Sequence, residues 1–257
     1  MVGPAPTQPS KVERDALAAR WRGNFLLASL PPDLQTKLAP KLALVQLEAG
    51  QRAFGNEQPW RHVLFPVSAV ISVVSAAPSG NSTLLAIVGS EGLIGLPGVL
   101  GTQSAFGEAI VHTSGDALRM GAKEFAAELS DERVRQILLR YVHAFLSQVA
   151  QTAFCNRFHP SESQLSTLLL RILDRTGGSH IQATHDQLAR MTGVRRETIT
   201  LAATRLQQRG ALVYQRGLVQ VANRTMLEGS ACECYGIVEN AYAASYFGGQ
   251  QPPWQGK

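Results

Sequence analysis

The densest chemistry in this chain lies in the stretch "MTGVRRETITLAATRLQQRG", residues 191–210. Two adjacent arginines, a glutamate and several threonines stand at the start of an apparent helix, just after a glycine. On a helical wheel Ile199, Ala202 and Leu206 share one face, while Arg196, Glu197, Thr200, Leu201 and Thr204 point away. Such a set has the chemistry to read a polymer of bases. A guanidinium makes two parallel hydrogen bonds to guanine, a carboxylate accepts from the cytosine amino group, and an aliphatic side chain meets the thymine methyl. Each good base contact discriminates by about 1–3 kcal/mol, and threonine hydroxyls suit phosphates. A solvated polar face with an internal Arg196–Glu197 pairing has the same inventory, so the surrounding elements must decide.

Those elements favour recognition. Thr184-x-x-Gln187 reads as a capping box that opens a short helix ending near Met191. Thr192-Gly193-Val194 is a turn, a second helix runs from about Arg195 to Arg209, and Gly210 stops it. "ALVYQRGLVQVAN" reads as a hairpin with Arg216-Gly217 at its tip. Helix, glycine turn, helix and hairpin make a winged helix-turn-helix. Upstream, Pro160 closes the preceding segment, Ser161 with Gln164 predicts another capping box, and Gly177-Gly178 ends the helix that follows.

Charge agrees. The 257 residues carry a net charge of +5. Between residues 160 and 228 the cations are Arg171, Arg175, Arg190, Arg195, Arg196, Arg205, Arg209, Arg216 and Arg224, with no lysine. Planar guanidinium forks suit phosphates and guanines, so this segment is expected to meet a polyanion.

The first half has a different texture. "LALVQLEAG", "HVLFPVSAVISVVSA", "STLLAIVGSEG" and "EAIVHTSGDALRM" are apolar runs of strand length separated by turn residues, which predicts an antiparallel all-β roll, barrel or sandwich. Then "DERVRQILLRYVHAFLSQVAQTAFCNRF" runs without Gly or Pro. Val134, Leu138, Tyr141, Phe145 and Val149 recur every three or four residues, marking a long amphipathic helix. Its seam either bridges two domains or meets a copy of itself.

Other chemistries find little support. Cys155, Cys232 and Cys234 are the three cysteines, too few for a disulfide framework. Cys232-Glu233-Cys234 lacks further ligands near it in sequence, so two reduced thiols are expected, with no metal. His62 and His112 are isolated in strand-like segments, and no cofactor is expected. Motifs of hydrolases, nucleotide-triphosphate loops and zinc proteases are missing, so no enzyme is expected. The start, "MVGPAPTQPSKVERD", has no apolar signal-peptide core, and no run of ~18 apolar residues predicts a membrane helix. A cytoplasmic protein without membrane contact is the expectation.

"THDQLARMTGVRRETITLAATRLQQRGAL" resembles the helix-turn-helix of the CRP/FNR family of bacterial transcription regulators, through Gly193-Val194 and Arg196-Glu197-Thr198-Ile199. The order of roll, long helix and winged helix is similar to that family from about Leu26 to Leu227. The resemblance implies an α+β chain: an N-terminal antiparallel β-roll like the cyclic-nucleotide-binding fold, a long dimerisation helix, and a C-terminal winged helix-turn-helix. The matching divisions are a flexible segment 1–22, a roll 23–130, a dimerisation helix 131–159, a DNA-binding domain 160–227 and a partly helical tail 228–257. The resemblance further implies a homodimer seamed by Val134, Leu138, Tyr141, Phe145 and Val149, a palindromic site on double-stranded DNA, and contact with RNA polymerase. Arg196 and Glu197 would read a G·C pair. Arg195 and Thr198 would hold phosphates, Thr184 would offer its backbone N–H to another, and Arg216 would touch the backbone from the wing tip. Leu201 stands where the best-known relative has a second guanine-reading arginine, so one outer guanine contact is expected to be lost.

In cyclic-nucleotide-binding relatives the roll offers a glutamate to ribose and an arginine to phosphate. Here Gly95 is followed by Leu96, and Gly107-Glu108 stands before Ala109. An acid near a buried phosphate repels it by several kcal/mol. These four residues mark a degenerate ligand pocket, cyclic AMP is not expected to bind productively, and any other small-molecule effector is unidentified. The alternative reading is a non-enzymatic small-ligand or redox sensor that signals without specific DNA binding.

Overall fold

The computed structural model describes residues 21–55, 60–77, 82–102 and 107–250. Most of the expected flexible segment, residues 1–20, lies outside them, as do the turn residues Pro78 to Asn81. The strand-like runs fold as two antiparallel sheets. β1 (Ala43–Leu47), β7 (Gly115–Gly121) and β3 (His62–Pro66) form one, in the order β1-β7-β3. β2 (Arg52–Phe54), β6 (Glu108–Thr113), β4 (Val70–Ala76) and β5 (Ser82–Val88) form the other, in the order β2-β6-β4-β5. The three-residue strand β2 is too short to show a period, and sequence reading missed it. Val63, Phe65, Val88, Val111 and Leu118 meet in one core with the short helices α1 (Phe25–Ala28), α2 (Pro32–Leu38), α3 (Leu96–Val99) and α4 (Ala122–Ala127) around it.

The long helix α5 spans Glu132–Phe158, 27 residues. Asp131 caps it by accepting a hydrogen bond from the Arg133 N–H. The predicted seam does not face a partner. Val134, Leu138, Tyr141 and Phe145 are buried inside this chain's own core, and Val149 is half-buried against it. Tyr141 donates its hydroxyl to the Leu93 carbonyl at 2.8 Å, and a side chain on Gly92 would collide with its ring. The reason is the C-terminal segment. α10 (Cys234–Phe247) packs along α5, with Val238 and Tyr242 fully buried, so it is part of the core where a partly helical tail was expected. Gln148 laces the same junction to edge strand β5: Ile87 N–H donates to its Oε1, while its Nε2 donates to the Ile87 carbonyl and the Tyr242 hydroxyl. The apolar side chains α5 leaves uncovered are Leu139, Leu146, Phe154 and Phe158, the last 66% exposed.

α6 (Ser161–Thr176) follows Pro160. The capping box expected from Ser161 and Gln164 does not form. Gln164 is buried, and its Nε2 donates backward to the carbonyls of Cys155 and His159. It thus serves carbonyls at the end of α5, adding to the His159 N–H that the Cys155 carbonyl already accepts, instead of an N–H at the start of α6. Arg175 of α6 is almost fully buried, with Nε 2.7 Å from Glu91 Oε1 and Nη1 3.4 Å from Glu239 Oε1. These two carboxylates hold the guanidinium charged against the cost of its burial.

Candidate nucleic-acid interface

α7 (His185–Thr192) and α8 (Arg196–Gln208) are joined through Gly193, whose left-handed φ of 70° closes α7 by returning its N–H to the Ala189 carbonyl. Thr184 and Gln187 form the capping box the sequence predicts. The wing consists of β9 (Leu212–Gln215) and β10 (Leu218–Val221). Arg216 and Gly217 at its tip have φ of 48° and 81°, the tight turn that matches strand twist. A third strand, β8 (His180–Gln182), pairs with β10. It lies in the short link between α6 and α7, and three residues were too few to signal it. Ile199, Ala202 and Leu206 pack α8 onto Leu188 and Leu165, with Val194 at the rim.

The opposite face of α8 is open. Arg195, Arg196, Glu197, Thr200, Leu201 and Thr204 are exposed, Leu201 by 53%, while Thr198 is half-buried. Arg196 does not pair with Glu197. Its Nε stands 3.7 Å from Asp186 Oδ1, both side chains more than half exposed. Such a pair is worth under about 1 kcal/mol and yields readily to a better acceptor. The hydroxyls of Thr200 and Thr204 donate to the helix carbonyls of Arg196 and Thr200. The Thr184 N–H assigned to a phosphate is already donated to Gln187 Oε1 at 2.8 Å, so its cap competes with that role. His185 was missed, a lone histidine having no sequence signal. Its Nδ1 lies 2.9 Å from Thr200 Oγ1 and its ring stacks on Tyr214 at 4.1 Å. Partial burial, then the nearby Arg196 charge, lowers its pKa.

The arginine-rich segment divides in two. Arg171 and Arg175 are buried, Arg224 binds Asp174 at 2.6 Å, and Arg209 binds Glu162 at 2.5 Å. Arg190, Arg195, Arg196, Arg205 and Arg216 remain exposed. The basic surface is therefore smaller than the sequence count implies.

The four residues of the expected ligand pocket are placed apart from open space. Gly95 adopts φ 110° against the His62 carbonyl, and Leu96 is buried. Gly107 lies against the Val74 carbonyl, and Glu108 pairs with Arg52 at 3.3 Å. None of them lines the cleft of about 890 Å³ that opens between the roll, at Ser72, Ile110 and His112, and the winged helix, at His180, Gln187 and Arg190.

The cysteines are another correction. Sequence spacing isolates Cys232 and Cys234, but the fold brings Cys155 and His159 from the end of α5 to them. The Cys155 and Cys232 sulfurs are 3.4 Å apart, and Thr167 Oγ1 is 3.2 Å from Cys232 Sγ. Sharing a proton with Cys155 holds the Cys232 thiol down at about 5. Burial pushes Cys234 up to about 11, and the Cys155 thiol is raised by its bond to Cys232.

Fold and site together define a winged-helix nucleic-acid-binding module joined by a long helix to an antiparallel roll. Residues 163–229 match the Crp-like helix-turn-helix domain, and the fold as a whole is similar to solved structures of CRP/FNR-family proteins. FixK2 from Bradyrhizobium japonicum is 15% identical with a TM-score of 0.64, over 74% of this chain and 98% of that one. A CRP/FNR-family protein from Eubacterium rectale is 15% identical with a TM-score of 0.65, over 81% and 98%. A CRP/FNR-family transcriptional regulator from Thermus thermophilus is 19% identical with a TM-score of 0.59, over 74% and 98%. No curated protein matches the chain by sequence. Among the described residues, no helix is long and apolar enough to cross a membrane.

Proposed function

We propose that this chain is a non-enzymatic, DNA-binding transcription regulator of the CRP/FNR type, acting as a homodimer on a palindromic operator. The observation that carries the reading is the open Arg196-Glu197-Thr200-Leu201 face on a helix held rigidly by a Crp-like helix-turn-helix. In this reading α8 enters the major groove. Arg196 leaves Asp186 to read a guanine, Glu197 accepts from the paired cytosine, and Leu201 meets a thymine methyl. Arg195, Thr198 and Arg216 hold phosphates, which position the helix without specifying sequence. Residues 23–130 are the regulatory roll, 131–159 the dimerising helix and 160–227 the DNA-binding domain. Two copies, joined through the uncovered Leu139, Leu146 and Phe154 of α5, present recognition helices to half-sites about 34–36 Å apart. RNA polymerase is the partner of the bound dimer. Cyclic AMP is not the effector, because Leu96 is packed into the core and Glu108 brings a negative charge paired to Arg52.

The test is binding-site selection followed by competition gel shifts with Arg196→Ala/Glu197→Ala. The selected site is expected to contain an inner G·C pair. The double variant loses its preference for that pair by tenfold or more, since each contact contributes about 1–3 kcal/mol. Unchanged occupancy and base preference in the variant would overturn the reading. A guanine selected opposite Leu201 would remove that assignment.

A further inference from the structure

At the C-terminal end of α5, four side chains from two distant stretches converge. Cys155 and His159 are one helical turn apart, and Cys232 and Cys234 flank Glu233, the residue that opens α10. One donor atom from each, three sulfurs and a ring nitrogen, lies within 4.8 Å of all the others. Cys155 Sγ is 3.4 Å from Cys232 Sγ, and Cys234 Sγ is 3.5 Å from His159 Nδ1. A tetrahedral zinc with Zn–S of about 2.3 Å has edges of about 3.8 Å between its ligands, so the set needs little movement to close on one ion.

We propose that Cys155, His159, Cys232 and Cys234 form a closed structural site for a single divalent metal ion, zinc by preference.

The surroundings are those such a site needs. His159 Nε2 lies 3.2 Å from Glu233 Oε1. With its Nε2–H donated to that carboxylate, the ring presents the Nδ1 lone pair to the sulfurs, the outer-shell arrangement that orients metal-binding histidines. Thr167 accepts the Cys232 N–H at 3.3 Å and stands 3.2 Å from its sulfur, fixing that loop. Three thiolates and one dication leave a net charge of −1. Arg171, fully buried, donates to the Cys234 carbonyl at 2.9 Å, and its charge interacts with both Cys155 and Cys234. The metal binds all three sulfurs as thiolates, and the protons they still carry pass to solvent as the three metal–sulfur bonds form. A disulfide would use two of the three sulfurs and leave the histidine's orientation without a role. An iron–sulfur cluster distributes its cysteines over separate irons, a wider spread than this set has. His159 precedes Pro160 at the start of the winged helix, and Cys232 follows its last helix, α9 (Arg224–Ser230). One ion therefore ties both ends of the DNA-binding module to the long helix.

The site stands independently of the DNA-binding reading, and so does its test. The full-length chain, purified under reducing conditions, is analysed for metal, then stripped by chelation and titrated with Co²⁺ and Zn²⁺. One zinc per chain is expected as isolated. Co²⁺ is expected to give the intense visible bands of a tetrahedral, thiolate-rich site at one equivalent, abolished by one equivalent of Zn²⁺. Zn²⁺ protects all three thiols from a thiol reagent. Cys155→Ser and Cys234→Ser lose the bands. Glu233→Gln keeps one equivalent with affinity about 10–100-fold lower. Absence of tetrahedral bands, with three thiols equally reactive with and without Zn²⁺, overturns the proposal. So does a Cys155–Cys232 disulfide that forms in the presence of Zn²⁺, or iron bound together with sulfide. Should a serine variant fail to fold by circular dichroism, the wild-type titration decides alone.

Discussion

Arg175 illustrates how one residue type serves opposite ends. Its guanidinium, 2% exposed, joins α6 to Glu91 of the roll and Glu239 of α10. It is a structural cation in the same arginine-rich run that supplies Arg196 to the open face. Burying a charge is tolerable only when it is paired, and removing one partner leaves the others desolvated and repelling. Arg175→Met is therefore expected to destabilise the chain by about 3–5 kcal/mol, read as a lower midpoint in urea unfolding. A change under about 1 kcal/mol would show that this buried ion-pair cluster is not what holds the three elements together. Replacing the exposed Arg205 serves as the control, expected to leave stability nearly unchanged.

At the scale of elements, α5 carries two apolar faces, and periodicity alone did not say which one stays inside the chain. Val134, Leu138, Tyr141 and Phe145 are the stronger pattern, and they are consumed by the roll and α10. Leu139, Leu146 and Phe154 form the weaker one, interrupted by Arg140 and His143, and they remain 54%, 59% and 45% exposed. An uncovered row of large apolar side chains on a rigid helix is what a helix-to-helix dimer buries. If the proposed homodimer forms through this row, Leu139→Asp/Leu146→Asp is expected to convert it to a monomer in sedimentation equilibrium while the far-UV circular dichroism is kept. Leu138→Asp, on the inner face, unfolds the chain instead. A dimeric mass unchanged by the outer pair would place the contact elsewhere, and a monomeric wild-type chain would overturn the proposed homodimer.

For the whole molecule, the roll keeps a large core of its own, while the core of the winged helix extends into one edge of the roll. Val70, Leu84 and Ile87 of the β4–β5 hairpin share a buried cluster with Leu165, Leu169, Leu188 and Ile199 of the helix-turn-helix. The turn at Gly193 approaches Thr83 of β5. α8 is thus carried on a body continuous with one edge of the roll, so a displacement of that edge is mechanically available to it. Thermal unfolding is expected to be a single transition, with emission from the buried Trp21 and Trp60 coinciding with loss of helical ellipticity. Two separated transitions would show that this shared cluster does not couple the parts.

Local patterns in the sequence carried what depends on neighbours along the chain. The capping box at Thr184, the glycine turn at Gly193, the extent of α5, the wing tip at Arg216-Gly217 and the outward aim of Arg196 and Glu197 each follow from residues within a few positions of one another, and helix and turn stereochemistry is set over that range. Other outcomes waited on tertiary structure. The inner fate of Tyr141, the split of nine arginines into structural ties and open cations, the diversion of Gln164 to the end of α5, and the meeting of Cys155 with Cys232 across 77 residues are decided by which surfaces pack. Packing joins residues by space, and the spacing of two stretches in sequence contains no record of it.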